Sequence, residues 1–223
     1  MASVQIINLN KIYPNGFVSV KDVTLYIHDG EFITLHGPHG CGKSTILRMI
    51  GGLEEITTGK VYFGDDCVSS MHPANRPLAM AFQNYVLYKH LNVFENIALG
   101  LRIRECPKHI IDRRVQTAAE FLGITHIINQ RVKKISDSDK QLVALCRALV
   151  CKPAVLLVDE EFAHQDPKLK EELIITLQKI NRELNLTILY VTNDYHEATT
   201  VGNRTVFMKE GEIIDILPTK NKS

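Results

Sequence analysis

A chain of 223 residues, 45% hydrophobic and 23% charged, has enough apolar material for one large domain or a domain carrying a subdomain. Its 26 basic against 25 acidic side chains exclude a chain-wide basic surface for nucleic acid and an acidic tail, so any basic partner surface has to be local. The sustained apolar runs, such as 154–158, fall far short of the ~20 residues of a membrane-spanning helix, and MASVQIINLN lacks the pattern of a secretory signal, so the cytoplasm is the expected compartment.

The first third predicts short strands separated by turns: one near Val4, one ending at Ile27, a turn at Asp29 and Gly30, and a strand over 31–36. Residues 43–50 have helical spacing, Gly51 and Gly52 end that helix, and 61–63 read as another strand. Beyond Gln83 strand signals fade, and 93–103, 108–121 and 140–150 each show a helical apolar stripe with charges opposite. After Pro153 come a strand over 154–158, a helix over 168–184, a strand over 187–192, a short helix from Tyr195 and a final hairpin around 209–211. Alternating strands and helices predict a parallel sheet. The expected organisation is an α/β core over 1–82 and 152–223, with a strand-rich N-terminal lobe, and a helical subdomain inserted over 83–151.

Five cysteines (Cys41, Cys67, Cys106, Cys146, Cys151) are an odd number without CxxC spacing, which reads as free thiols, with Cys146 and Cys151 in or beside the core. His28, His72, His90, His109 and His126 stand singly, without metal-ligand spacing, and read as surface or satisfied side chains.

Directly after the apolar strand over 31–36 comes Gly37, Pro38, His39, Gly40, Cys41, Gly42, Lys43, Ser44, Thr45, the phosphate-loop pattern GxxxxGK[ST] in its required setting between strand and helix. Glycines let backbone N–H groups curl around phosphate oxygens, and the helix N-terminus adds partial positive charge. Lys43 reaches the terminal phosphates and Ser44 offers a hydroxyl to magnesium. His39 could lie over a phosphate, although a side chain at that loop position more often faces solvent. The strand AVLLV delivers Asp159 and Glu160 at its C-terminal end, the end where ligands bind in open α/β sheets. Alone, this acidic run reads equally as a surface turn. Beside a phosphate loop, Asp159 reads as the carboxylate that holds magnesium through water, and Glu160 as the group polarising an attacking water.

The order of these segments resembles the nucleotide-binding subunits of ATP-binding cassette (ABC) transporters, most closely the maltose and glycerol-phosphate type of sugar importer. The resemblance spans nearly the whole chain and is carried by KIYPNG around Tyr13, GPHGCGKSTILRMIGGLE, AFQNYVLYKHLNVFENIALG, RALVCKPAVLLVDE and LYVTNDYHEA. It implies ATP and Mg2+ as ligands, Tyr13 stacking on adenine, Gln83 sensing magnesium and the terminal phosphate, and a helical subdomain that touches a membrane permease. It also implies a sandwich of two cassette subunits, on the inner face of the cell membrane.

The departures from that family are specific. Where its signature usually reads LSGGQ, this chain has Ile135, Ser136, Asp137, Ser138 and Asp139, so both glycines are lost and two carboxylates stand where a partner's triphosphate would approach. One carboxylate and one phosphate charge ~4 Å apart at an effective dielectric of ~20 repel by ~4 kcal/mol. The same residues read well as a helix start: Ser136 with Asp139 fits a capping box, and first-turn acids suit the helix dipole. Asn193 stands at the family's switch histidine and cannot carry an imidazolium charge. Glu161 replaces an expected proline, Asp166 alone is kept in the segment that bridges subunits, and Leu142 replaces a usual arginine. The chain also ends near residue 223, short of the β-rich regulatory domain such importers often carry.

Three functions follow from this reading. The first is an importer ATPase, with Glu160 orienting water against a Lys43-bound triphosphate. The second is a nucleotide-binding but poorly hydrolysing subunit, either the degenerate half of a heterodimer whose partner bears an intact signature or a regulatory subunit; whether the cassette pair is a homodimer or a heterodimer is left open by the sequence. The third is a cassette ATPase with no membrane partner, which the importer-like segment 84–100 disfavours.

Overall fold

The computed structural model describes residues 2–81, 87–159 and 167–219. Along the chain lie β1 (Val4–Ile12), β2 (Val18–Ile27), β3 (Phe32–His36), α1 (Lys43–Gly51), β4 (Thr58–Phe63), β5 (Asp66–Cys67), β6 (Leu78–Ala81) and α2 (Val93–Ile103). There follow α3 (Lys108–Phe121), α4 (Asp137–Leu149), β7 (Val155–Val158), α5 (Pro167–Leu184), β8 (Thr187–Thr192), α6 (Tyr195–Val201), β9 (Arg204–Lys209) and β10 (Glu212–Pro218).

The strands form two sheets. A four-stranded sheet runs β2-β1-β4-β5, all antiparallel, and a six-stranded sheet runs β10-β9-β3-β8-β7-β6. In the second sheet β9, β3, β8, β7 and β6 are parallel, and β10 closes one edge antiparallel to β9. The expected mixed β core is therefore present. The sequence order hides one point: β3 leaves the strands on either side of it and joins the other sheet.

β7 and β8 are buried along their whole length, as parallel strands covered on both faces must be. Their alternate residues feed two separate cores. Leu156, Val158, Ile188 and Tyr190 pack with the apolar stripes of α2, α3, α4 and α5. Val155, Leu157, Leu189 and Val191 pack with α1 and the four-stranded sheet. The helices α2 to α4 thus share one continuous apolar cluster with the sheet.

Local signals explain the helix ends. Asn92 and Glu95 form a full capping box at α2: the Glu95 amide donates to Asn92 Oδ1 and the Asn92 amide donates to Glu95 Oε2, each at 2.8 Å. The helix expected over 140–150 starts three residues earlier, at Asp137, because Ser136 is its N-cap. The capping box expected there forms only in part. The Asp139 amide donates to Ser136 Oγ at 3.1 Å, but Ser136 Oγ itself donates to Asp139 Oδ2 at 2.7 Å, because the aspartate is too short to reach back to the Ser136 amide. At the final hairpin Glu210 (φ 49°) and Gly211 (φ 85°) make a two-residue turn closed by the Lys209 and Glu212 pair, as the strand twist favours.

The five histidines read as surface residues are all exposed. Cys146 is fully buried, and burial pushes its thiol up to about 12, while Cys151 is only half-buried against the same cluster. Among the described residues no helix is long and apolar enough to cross a membrane, and no group of His, Cys, Asp or Glu could hold a metal by itself.

Candidate functional site

The loop between β3 and α1 is shaped by two close approaches that glycine alone permits. Gly42 has φ +102°, and a Cβ there would lie 2.4 Å from the Ser19 carbonyl oxygen; a Cβ on Gly37 would lie 2.3 Å from that of Met208. The backing is built from distant chain: the Gly211 amide donates to the Cys41 carbonyl at 3.1 Å and the Lys21 amide to the Gly211 carbonyl at 2.8 Å. Thr45 and Ser19 hydroxyls meet at 2.9 Å, tying α1 to β2. α1 begins with no side-chain cap and no acid in its first turn, so its positive end and first amides face the loop uncompensated. Lys43 is buried, and its Nζ donates to the carbonyls of Gly37 at 2.6 Å and Pro38 at 2.9 Å, which aims the ammonium along the inside of the loop.

Asp159 follows β7 and is 1% exposed. Ser44 Oγ donates to Asp159 Oδ1 at 2.8 Å, bringing together residues 115 apart in sequence. A hydroxyl and a carboxylate are oxygen donors suited to a hard divalent cation. Gln83, Glu160 and Asp166 lie outside the described residues.

Beyond β8 the chain makes a polar cluster that sequence reading misses. The Glu197 carboxylate accepts from Thr192 Oγ1 at 2.8 Å and Tyr190 Oη at 3.1 Å, and it pairs with Lys170 from α5. Asp194 caps α6 by accepting from the Glu197 amide at 3.0 Å, and that hydrogen bond holds its carboxyl below the usual range. Asn193, exposed between these anchored residues, has its Nδ2 2.8 Å from His39 Nε2 in the phosphate loop. His39 is thus exposed, as expected, yet engaged. His36 is held from three sides, with Nδ1 3.3 Å from the Thr192 carbonyl and edge contacts to Tyr195 and Phe207. His36 lies more than 150 residues before Tyr195 and Phe207 and on a different element from either, so the sequence carries no local signal of this cluster.

Tyr13 sits between β1 and β2 in an aromatic pair with Phe17, ring centroids 6.3 Å apart, with Lys11 Nζ 5.0 Å from its ring and Glu54 accepting from its hydroxyl at 3.4 Å. Asp137, Ser138 and Asp139 form the first turn of α4. Asp137 pairs with Lys140 at 2.7 Å and leaves 71% of its side chain exposed, and Ser138 donates to Glu172 at 3.3 Å.

A glycine loop feeding a bare helix N-terminus, a buried lysine inside it and a carboxylate on a neighbouring strand define a phosphate-loop nucleotide-binding protein. The chain belongs to the ABC transporter family, whose model matches residues 20–163. It is 44% identical over 213 residues to the sn-glycerol-3-phosphate import ATP-binding protein UgpC of Psychromonas ingrahamii, covering 96% of this chain and 57% of that protein. It is also 44% identical to UgpC of Yersinia pestis, covering 95% of this chain and 59% of that one. The chain therefore spans less than two thirds of the length of these relatives. Its fold matches the dimeric, post-hydrolysis structure of the ATP-binding cassette MJ0796 bound to ADP and Pi, with a TM-score of 0.81 and 28% identity over 98% of this chain and 99% of that one.

Proposed function

We propose that this chain is the ATP-binding subunit of a membrane importer for a small, sugar-like solute, coupling ATP binding and hydrolysis to movement through a permease. The observation that carries the reading is the Ser44–Asp159 contact beside the Lys43-threaded loop, which sets a cation's oxygen donors next to a phosphate cradle. The import proteins at 44% identity support it. In this reading the loop from Gly37 to Thr45 binds the triphosphate and Tyr13 stacks on adenine. Ser44, Asp159 and Gln83 hold magnesium, Glu160 orients water, and Asp166 bridges two cassette subunits. Magnesium, when bound, neutralises charge on the transferring phosphoryl group. The division into a core over 1–82 and 152–223 and a helical subdomain over 83–151, the permease contact, and a place on the inner face of the membrane belong to the same proposal.

A second reading has its own observation. At the start of α4, Ser136 is engaged with Asp139, and Asp137 is exposed at the helix end where a partner's triphosphate would approach. That end suits the helix dipole and repels phosphate, so the chain would bind ATP yet hydrolyse it slowly unless a partner supplies an intact signature.

Phosphate release with MgATP over a range of protein concentrations, beside Lys43→Ala and Glu160→Gln, separates the two. Turnover that requires both residues and rises more steeply than concentration supports a working homodimer. Lys43-dependent ATP binding without turnover supports the second reading, and absence of any nucleotide binding rejects both.

A further inference from the structure

A groove of about 300 Å3 runs between α4 and α5, at the lower end of the volumes that small-ligand clefts use. Its walls are aliphatic: Leu142 and Leu145 from α4, Leu173 and Ile175 from α5. The α4 side is one helical stripe, because Ser138, Gln141, Leu142 and Leu145 recur at spacings of three and four. The polar groups gather where the two helices touch. Ser138 Oγ donates to Glu172 Oε2 at 3.3 Å, and Gln141 lies one turn along the same face of α4. Thr176, on the α5 side, has its hydroxyl engaged with the Glu172 carbonyl at 2.8 Å.

Two of these polar groups are left unsatisfied. Gln141 is 4% exposed, lines the groove, and makes no side-chain hydrogen bond to any of the described residues. A buried amide keeps its desolvation cost until something pairs with it. Glu172 is exposed, and among the described residues no cation pairs with its carboxylate. No Lys, Arg or His lines the groove. It therefore sets acceptors and one negative charge, from Glu172 and the Gln141 carbonyl, beside four aliphatic side chains. A primary ammonium has three donors and no acceptor, and an alkyl stem suits the walls. We propose that the groove is a binding site for a small primary alkylamine, its chain against Leu142, Leu145, Leu173 and Ile175 and its ammonium donating to Glu172 and Gln141. An alcohol of the same length brings one donor and no charge, and a carboxylate meets the repulsion of Glu172. The site lies outside the phosphate loop, so its occupation needs no nucleotide.

The test is titration of the nucleotide-free full chain, followed by backbone amide NMR, with n-hexylamine at neutral pH, hexan-1-ol, hexanoate and Nα-acetyl-lysine methylamide. Hexylammonium is expected to give saturable shifts centred on residues 138–145 and 172–176, with a dissociation constant on the order of 1 mM. Hexanol should bind about three- to tenfold more weakly, and hexanoate more weakly still. Glu172→Gln, a change at an exposed side chain, should bring the amine down to the level of the alcohol. Leu142→Trp, at the half-buried rim, should abolish binding of both, and the amide spectrum of each variant reports whether the fold is kept. Equal binding of amine and hexanoate, shifts centred elsewhere, no saturation, or an amine affinity unmoved by Glu172→Gln would overturn the proposal. The lysine derivative should bind more weakly than hexylamine; tighter binding would assign the groove to a lysine of a protein partner and overturn the free-amine assignment.

Discussion

Asp194 illustrates how one side chain sets a helix and carries a pH signature. It accepts the Glu197 amide at the start of α6 and so fixes the turn that presents Asn193. Its carboxyl is held below 3.8, chiefly by that backbone hydrogen bond, so the folded chain binds this proton less tightly than the unfolded one. Stability from this source is complete above the ordinary carboxylate value and is lost as pH falls through the lowered one. Asp194→Ala is expected to cost about 1 kcal/mol at neutral pH. Asp194→Asn keeps an acceptor and removes the charge, and its urea midpoint should converge on that of the unaltered chain as the pH drops below 3.8.

At the scale of an element, α4 is a helix start optimised for itself. Ser136 caps it, Asp137 and Asp139 suit its dipole, and Lys140 pairs back to Asp137 at 2.7 Å. Replacing Asp137, Ser138 and Asp139 together by Gly, Gly and Gln removes these favourable terms and adds two glycines. Unfolding in urea should show a loss of about 1–2 kcal/mol. If the acids are what obstructs a partner's triphosphate, the same triple change should raise steady-state phosphate release per subunit at least about tenfold, the equivalent of 1.4 kcal/mol in the barrier. Lower stability with unchanged turnover would show that the first turn of α4 does not limit catalysis. The contrast with α2 is instructive: there glutamate at the third position completes the reciprocal box, whereas Asp139 is one methylene shorter and bonds the serine hydroxyl instead.

At the scale of the molecule, the central strands divide two cores. Leu156 and Leu157 are adjacent and fully buried, but one packs with the helices and the other with α1 and the four-stranded sheet. Each change to Ala should cost about 3 kcal/mol in urea unfolding. The double variant should come within about 0.5 kcal/mol of their sum, because the two side chains share no apolar cluster. Strong coupling would mean that the two faces relax together.

The sequence by itself determined the phosphate loop, the helices of 93–121 and the buried strands before Asp159 and Asn193, because those signals are local: a fixed motif spacing, a 3.6-residue stripe, a short apolar run. It also carried the family, through the order of its segments. Gln83, Glu160 and Asp166 rest on that reading, since they fall outside the described residues. Only the tertiary structure decided that β3 leaves the antiparallel sheet for the parallel one, that Glu197 gathers Tyr190, Thr192 and Lys170, and that His39 reaches Asn193 across 154 residues. Those contacts depend on which strands pair and in what register, and strand pairing is a long-range choice made by burying both faces of β7 and β8, which no window along the chain records.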